Sequence, residues 1–131
     1  MEVTIELLSN SDILKATKLI KNSKSIVASN VTREILHHIS EGIALKLIEP
    51  DGKIVGIWCS KDMGEYVSLS YCFVNSSKRN AYRFINYCVD AVDCNGTKPL
   101  LLTAKDISLF KNHVEHIEDN IYILRFGKWV V

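Results

Sequence analysis

The sequence predicts an α/β fold with a central mixed, mostly antiparallel sheet flanked by helices. The hydrophobic period changes from two to 3.6 and back to two within residues 65–104, which is typical of a strand, a helix and a second strand. A turn signal, Pro50-Asp51-Gly52, separates two alternating runs and indicates a β-hairpin. With 131 residues, of which 47% are hydrophobic and 24% charged, we expect a single domain spanning residues 1–131.

The first half of the chain is predicted to form a strand, two helices and the hairpin. Strands are indicated by apolar side chains that alternate with polar ones, and helices by apolar side chains at helical spacing. The polar residues 9–12 can cap the first helix, and Gly42 follows the second. In chain order these predicted elements span about residues 3–7, 13–20, 31–39, 43–47 and 53–59.

The second half begins with the strand–helix–strand unit. Residues 67–73 carry large apolar side chains at the odd positions, which predicts a fourth strand with one strongly apolar face. A third helix is predicted through residue 92, after the polar run 76–79. The fourth and fifth strands of such a unit are expected to run parallel with a right-handed crossover. The remaining predicted elements are the fifth strand at 100–102, a helix over about 107–116 and a closing strand over 121–126.

The net charge and the hydropathy of the chain disfavour two classes of partner, nucleic acids and membranes. The net charge of +1 and the pI of about 7.7 favour neither a nucleic-acid partner nor a membrane surface. The N-terminus lacks the pattern of a signal peptide, and no apolar stretch has the length of a membrane span. We therefore expect a cytoplasmic protein. Its four cysteines lack metal-site spacing and are expected to be reduced.

The element order and two segments resemble the GCN5-related N-acetyltransferase (GNAT) superfamily. The resemblance covers nearly the whole chain and is most recognisable in residues 43–57, which form the predicted hairpin, and in residues 66–92. It implies a GNAT-like domain that uses acetyl-CoA as acyl donor and a small molecule or protein amine as acceptor. In that family the fourth strand offers backbone groups to the pantetheine arm of acyl-CoA, and the following turn wraps the pyrophosphate.

The resemblance implies acetyl-CoA contacts in two groups of residues. Those that would line the pantetheine arm are Cys72, Phe73 and Val74. The following turn has no glycine, so its hydroxyls and cations would contribute to the phosphate contacts. The residues of this turn are Ser76, Ser77, Lys78, Arg79, Asn80 and Ala81. A second interpretation stays open, in which one of the serines caps a helix whose first turn carries two solvated cations.

A general base for the amine is predicted at Glu65, because the family often has a carboxylate just before the fourth strand; the alternative is a solvated surface charge. His37 and His38 are further candidates, in the part of the chain that resembles the substrate-facing wall. Adjacent helical residues point about 100° apart, so at most one of them can face a cleft. His113 and His116 could share a face of the last helix, but no third ligand follows from their spacing. No metal site is predicted.

The leading functional hypothesis is an acyl-CoA-dependent N-acetyltransferase, or a descendant that still binds acyl-CoA. The alternative is a catalytically degenerate GNAT-like protein of phage or mobile-element type that binds a host or virion protein. The glycine-free turn favours this alternative. So does Phe110, which aligns with a tyrosine that can protonate the leaving thiolate in many family members. The alternative predicts an exposed apolar patch that includes residues 129–131, and the oligomeric state stays open.

Overall fold

The computed structural model describes residues 2–22, 31–92, 100–102, 114–118 and 121–124. Within these ranges the chain forms three α-helices and seven strands, and a 3₁₀ turn at Asn10–Asp12 leads into the first helix. The elements are β1 (Thr4–Leu7), α1 (Ile13–Asn22), α2 (Val31–Glu41), β2 (Ile43–Ile48), β3 (Ile54–Asp62), β4 (Val67–Val74), α3 (Lys78–Val92), β5 (Leu100–Leu102), β6 (Val114–Glu118) and β7 (Ile121–Leu124).

The seven described strands form one sheet in the order β1-β2-β3-β4-β5-β7-β6. β4 and β5 pair in parallel, and the other neighbours are antiparallel. The predicted α/β class with a mixed, mostly antiparallel sheet is therefore confirmed. None of the described helices is long and apolar enough to cross a membrane.

Each face of the sheet carries a hydrophobic core. On one face α3 packs against the strands, with Phe84 and Trp58 fully buried. On the other face α1 and α2 pack against the strands through buried residues that include Ile20, Ile35 and Ile57. The helices bury one stripe each, as their apolar spacing predicts. β4 lies near the middle of the sheet, and its side chains contact both helical layers.

β4 contains a β-bulge that changes which layer its side chains face. The pairing register with β3 shifts by one residue, which makes Ser70 the extra residue of β4. Val67 and Leu69 pack in the α3 core, whereas Tyr71 packs in the core of α1 and α2. Side chains alternate strictly only along a regular strand. The prediction of one apolar face along residues 67–73 is wrong for this reason.

The C-terminal part departs from the sequence prediction as well. The helix predicted over 107–116 is wrong at its end, because β6 begins at Val114 and pairs antiparallel with β7. Pairing with the strand that follows directly in the chain overrides the local helical pattern, and β-branched residues such as Val114 and Ile117 suit a strand. Residues 107–113, with Phe110, and residues 129–131 lie outside the described ranges.

Candidate functional site

In the part of the chain that the structure describes, the edge of β4 that faces β5 is paired only at its beginning. β5 pairs with residues 67–69 of β4. Within the described chain, residues 70–74 continue past the end of β5 and have only β3 alongside them. We call residues 70–74 the open edge. A ligand that runs along such an edge can bond to the strand backbone as an added strand would.

Two residues direct their backbone groups towards the open edge. Asn75, which follows β4, donates its N–H to the carbonyl oxygen of Val55 at 2.7 Å, so its backbone groups face β3. Backbone groups alternate between the two sides of an antiparallel strand. The N–H and C=O groups of Cys72 and Val74 therefore face the open edge, whereas those of Phe73 face β3. Two of the three residues predicted for the pantetheine arm thus have backbone donors and acceptors on this side.

A cleft of about 390 Å³ lies at the N-terminus of α3. We call it the α3 cleft. Arg79 and Arg83 are one helical turn apart and both line it. Neither arginine forms an ion pair with a carboxylate in the described part of the chain. The residues that line the cleft are Glu49, Ser76, Ser77, Arg79, Asn80 and Arg83.

Ser77 caps α3. Its Oγ accepts the backbone N–H of Asn80 at 3.2 Å, and its carbonyl oxygen accepts the N–H of Ala81 at 2.9 Å. The N–H groups of Lys78 and Arg79, in the first turn, have no acceptor among the residues that the structure describes. The start of α3 therefore has the serine cap that the second interpretation of the sequence predicted. It also has two N–H groups that can donate hydrogen bonds to an anion.

Ser76 and Lys78 contribute unequally to the α3 cleft. Ser76 Oγ accepts a hydrogen bond from Asn80 Nδ2 at 3.0 Å, which leaves its hydroxyl proton to donate. The Lys78 ammonium lies over the ring of Tyr82, 5.5 Å from its centroid, and does not line the cleft. The second cation of the cleft is Arg83, which the sequence analysis missed; its i to i+4 spacing from Arg79 is the signal that could have identified it.

On the α2 side of β4, a buried histidine contacts the bulge residue. His38 is 2% exposed. Its Nδ1 lies 2.6 Å from the carbonyl oxygen of Glu34, and its Nε2 lies 3.1 Å from Ser70 Oγ. A carbonyl oxygen can only accept a hydrogen bond, so Nδ1 carries a proton. When the ring is neutral, Nε2 is then the acceptor and the Ser70 hydroxyl is the donor. Of the two adjacent histidines, His38 is therefore the one that contacts β4.

The other residues weighed as catalytic or metal-binding lie elsewhere. Glu65 is exposed in the turn before β4, at the opposite end of that strand from the residues that lead into the N-terminus of α3. His37 Nε2 lies 3.1 Å from Lys61 Nζ, and its Nδ1 lies 3.5 Å from the Glu41 carboxylate, on the more exposed side of α2. His116 lies in β6 rather than on a helix. In the described ranges, no three His, Cys, Asp or Glu side chains are grouped so that they could hold a metal ion.

The described cysteines are unreactive thiols. Burial raises the pKa of Cys59 and of Cys72 to about 12, and burial raises the pKa of Cys88 well above its ordinary value. The nucleophilic form of cysteine is the thiolate. At neutral pH these three side chains therefore stay protonated and do not compete as nucleophiles near β4.

No protein-family model matches the sequence, and no curated protein matches it. Solved structures are nevertheless similar to this chain. An acetyltransferase of the GNAT family from Staphylococcus aureus Mu50 has a TM-score of 0.74 at 16% identity, over 95% of this chain and 98% of that one. This chain has the GNAT fold. The resemblance recognised in the sequence is thereby confirmed at the level of the fold.

Two further structures with the GNAT fold were solved with ligands. The PaiA N-acetyltransferase from Thermoplasma acidophilum, in complex with coenzyme A, has a TM-score of 0.73 at 14% identity, over 95% of this chain and 98% of that one. A GNAT family acetyltransferase from Brucella melitensis, in complex with acetyl-CoA, has a TM-score of 0.69 at 11% identity, over 96% and 89% of the two chains. Identities this low establish a shared fold and leave the ligand to be argued from the site.

Proposed function

We propose that this protein binds acyl-CoA along the open edge of β4 and transfers the acyl group to an amine. Similar GNAT structures contain coenzyme A or acetyl-CoA, which supports acetyl-CoA as the donor. The observation that carries most weight is the α3 cleft at the end of the open edge, with two guanidinium groups that form no ion pair within the described ranges. An extended, polar arm that ends in phosphates matches this combination.

The pyrophosphate of CoA suits the start of α3. The N–H groups of Lys78 and Arg79, which have no acceptor among the described residues, and the positive end of the helix dipole favour an anion. The guanidinium groups of Arg79 and Arg83 can each bind phosphate oxygens in a bidentate manner. Two cations at i and i+4 also repel each other, and a bound phosphate relieves this repulsion. The carboxylate of Glu49 lines the same cleft and opposes the phosphates.

The reaction that we propose is direct attack of the amine nitrogen on the thioester carbonyl carbon. Negative charge develops on the carbonyl oxygen as the tetrahedral intermediate forms. The N–H group of the open edge closest to Ser70, that of Cys72, would donate to this oxygen. The C–S bond then breaks, and the CoA thiolate leaves with the electron pair. A base must accept the proton of the amine, and Glu65 remains the sequence-based prediction for that role.

Calorimetric titration with acetyl-CoA tests the proposal, with S-acetylpantetheine as the matched ligand that has the same arm but no phosphates. We expect micromolar affinity for acetyl-CoA and an affinity at least about tenfold lower for S-acetylpantetheine, because the charged hydrogen bonds are lost. If acetyl-CoA does not bind at millimolar concentration, the proposal is wrong. Binding would justify a screen of small-molecule and peptide amines as acceptors.

The alternative of a protein-binding phage or mobile-element protein has no comparable support. The large apolar side chains that are most exposed in the described chain lie on separate elements rather than in one segment: Leu7, Leu14, Leu36, Met63 and Tyr87. Scattered apolar side chains of this kind are normal for a protein surface.

A further inference from the structure

We infer that Ser70 and His38 form a proton relay that takes the proton from the acceptor amine. This inference rests on the proposed function, since it concerns the base of the same reaction. It assigns the role to a pair of residues that lie 32 positions apart in the chain, instead of to Glu65. Three observations carry it: the hydrogen bonds of the pair, its position on β4, and the difference in burial between the two side chains.

The hydrogen bonds arrange the pair for proton transfer. The Ser70 hydroxyl donates to His38 Nε2 at 3.1 Å, and the Nδ1 proton of His38 is held by the Glu34 carbonyl oxygen at 2.6 Å. A hydroxyl that contacts a base, which is in turn oriented by a third group, is an arrangement from which the hydroxyl proton can be transferred. When Nε2 gains a proton, the bond from Nδ1 to Glu34 persists and stabilises the imidazolium.

The bulge sets where the hydroxyl lies. Ser70 follows Leu69, the last residue of β4 that pairs with β5, so it stands at the beginning of the open edge. The contacts of Ser70 with α2 and of Tyr71 with the core of α1 and α2 put two consecutive side chains on one face. A regular strand cannot do this, and bulges recur where a strand must re-aim a side chain beside an active site. The ring of Tyr71 in turn lies against His38, with centroids 6.4 Å apart.

Burial separates the tasks of the two residues. His38 is almost fully buried, whereas Ser70 is half-buried. A substrate can therefore touch Ser70 and reaches His38 only through it, which makes His38 a positioning residue that also receives the relayed proton. On α2, Val31 and Ile35 form the buried stripe that His38 extends. An apolar side chain is the usual occupant of such a position, and the two hydrogen bonds offset the cost of burying an imidazole there.

Each proton that moves in the relay can be followed through one turnover. After the amine attacks, its excess proton passes to Ser70 Oγ while the proton of Ser70 passes to His38 Nε2. The intermediate collapses, the C–S bond breaks, and the sulfur keeps the electron pair. The proton on His38 then returns to Ser70 Oγ as the hydroxyl proton goes to the thiolate or to solvent. The products are the amide and free CoA, and both residues regain their starting states.

The test uses the full chain, acetyl-CoA and hydroxylamine as a small probe amine, with the acetohydroxamate product measured. Ser70→Ala should lower kcat by about 100-fold or more, as loss of a general base does, with unchanged affinity of the folded protein for acetyl-CoA. Its melting temperature should fall, because Nε2 of the buried His38 loses its partner, so all rates are measured at a temperature where every variant is folded. Ser70→Thr retains a hydroxyl and should keep most of the rate. His38→Gln retains an acceptor for the Ser70 hydroxyl but cannot take up a proton, so its kcat should fall like that of Ser70→Ala.

His37→Gln is the matched control and should keep the wild-type rate. The relay is wrong if acetyl-CoA binds but the wild type shows no rate above the uncatalysed reaction. It is also wrong if Ser70→Ala keeps its rate, or if Ser70→Ala and Ser70→Thr lose it equally. A loss in Glu65→Gln with full activity in Ser70→Ala would give the role back to Glu65. Should His38→Gln not fold, the two Ser70 variants decide alone. Failure of acetyl-CoA to bind contradicts the proposed function itself, which is a separate result.

Discussion

The two ends of the open edge of β4 differ in the forces on which they depend. At the α3 cleft, Arg79 and Arg83 are exposed and the attraction to an anion is electrostatic. At the bulge, His38 is buried and its position depends on packing and on two hydrogen bonds. Exposed charges are screened by salt and tolerate small movements, whereas a buried hydrogen-bonded pair does not. Affinity for acyl-CoA and catalytic rate should therefore be separable by mutation.

The largest effect on binding is expected at the α3 cleft. Arg79→Ala combined with Arg83→Ala should raise the Kd for acetyl-CoA by about 100-fold or more, since each charged hydrogen bond contributes about 1.5 to 3 kcal/mol. Titration calorimetry at two salt concentrations measures this loss and its dependence on screening. Lys78→Ala is the control, because its ammonium lies over Tyr82 and outside the cleft. Equal affinities for the double variant and the wild type would remove the cleft from the ligand site.

At the bulge end, we expect stability to depend on how closely the backbone of α2 approaches the sheet. Gly42 links α2 to β2, and a Cβ at this position would overlap the carbonyl oxygen of Ser60 on β3. Gly42→Ala should therefore lower the free energy of unfolding by about 1 to 3 kcal/mol, as measured by thermal or urea unfolding. Ser40→Ala, which is exposed and close by, is the control. The affinity of the folded protein for acetyl-CoA should not change. An unchanged melting temperature would mean that α2 can shift on the sheet, and the position of His38 with it.

Acid should weaken the ion pair between Asp12, just before α1, and Lys46 in β2. Burial alone would raise the pKa of Asp12, but hydrogen bonds from Lys46, at 2.8 Å, and from Ser9 outweigh burial and lower that pKa below its ordinary value of 3.8. A carboxylate with a lowered folded-state pKa stabilises the fold above its unfolded pKa, and this contribution is lost as the pH falls through the folded pKa.

Asp12→Asn should therefore be less stable than the wild type at pH 7, by about 1 to 2 kcal/mol, and the difference should shrink below about pH 4. Urea unfolding across this pH range measures the change. Asp90→Asn, on the exposed side of α3, is the control. A constant difference at all pH values would show that the ionisation of Asp12 does not contribute.

The smallest effect should have the opposite sign. Glu49 lines the α3 cleft opposite the arginines, so Glu49→Gln removes a charge that repels phosphate. We expect the affinity for acetyl-CoA to rise by about 0.2 to 1 kcal/mol, the usual range for a solvent-screened charge pair. Asp51→Asn, at the exposed tip of the hairpin, should leave the affinity unchanged. A weaker affinity in Glu49→Gln would indicate that this carboxylate orients an arginine.

The spacing of apolar residues and the turn residues predicted those elements that depend on local sequence. Periodicity and turn chemistry predict the hairpin around Gly52, the helix that begins after Ser77, and the succession of helices and strands along the chain up to residue 102. They do not predict the strand that begins at Val114, because the apolar spacing of residues 107–116 also fits a helix and only the pairing with β7 decides between the two. The bulge at Ser70 was equally hidden, since the alternation of residues 67–73 looks regular in the sequence.

The same distinction applies to the site. The turn at residues 76–81 was predicted as a phosphate site because it follows the fourth strand, where the resembled family binds the pyrophosphate. Arg83 could have been added from helical spacing alone. The contact between His38 and Ser70 could not, because it joins α2 to β4 across the sheet core. A sequence without aligned relatives carries no signal for such a contact, so the base was predicted at Glu65, where the resembled family often has a carboxylate.

The crystal structure of the complex with acetyl-CoA tests the central claim most directly. We predict that the pyrophosphate oxygens contact Arg79 and Arg83 at the start of α3. The pantetheine arm should bond to the backbone groups of Cys72 and Val74, and the thioester should lie beside Ser70. A complex in which acetyl-CoA binds elsewhere, with the open edge of β4 unoccupied, would contradict both the binding mode and the relay.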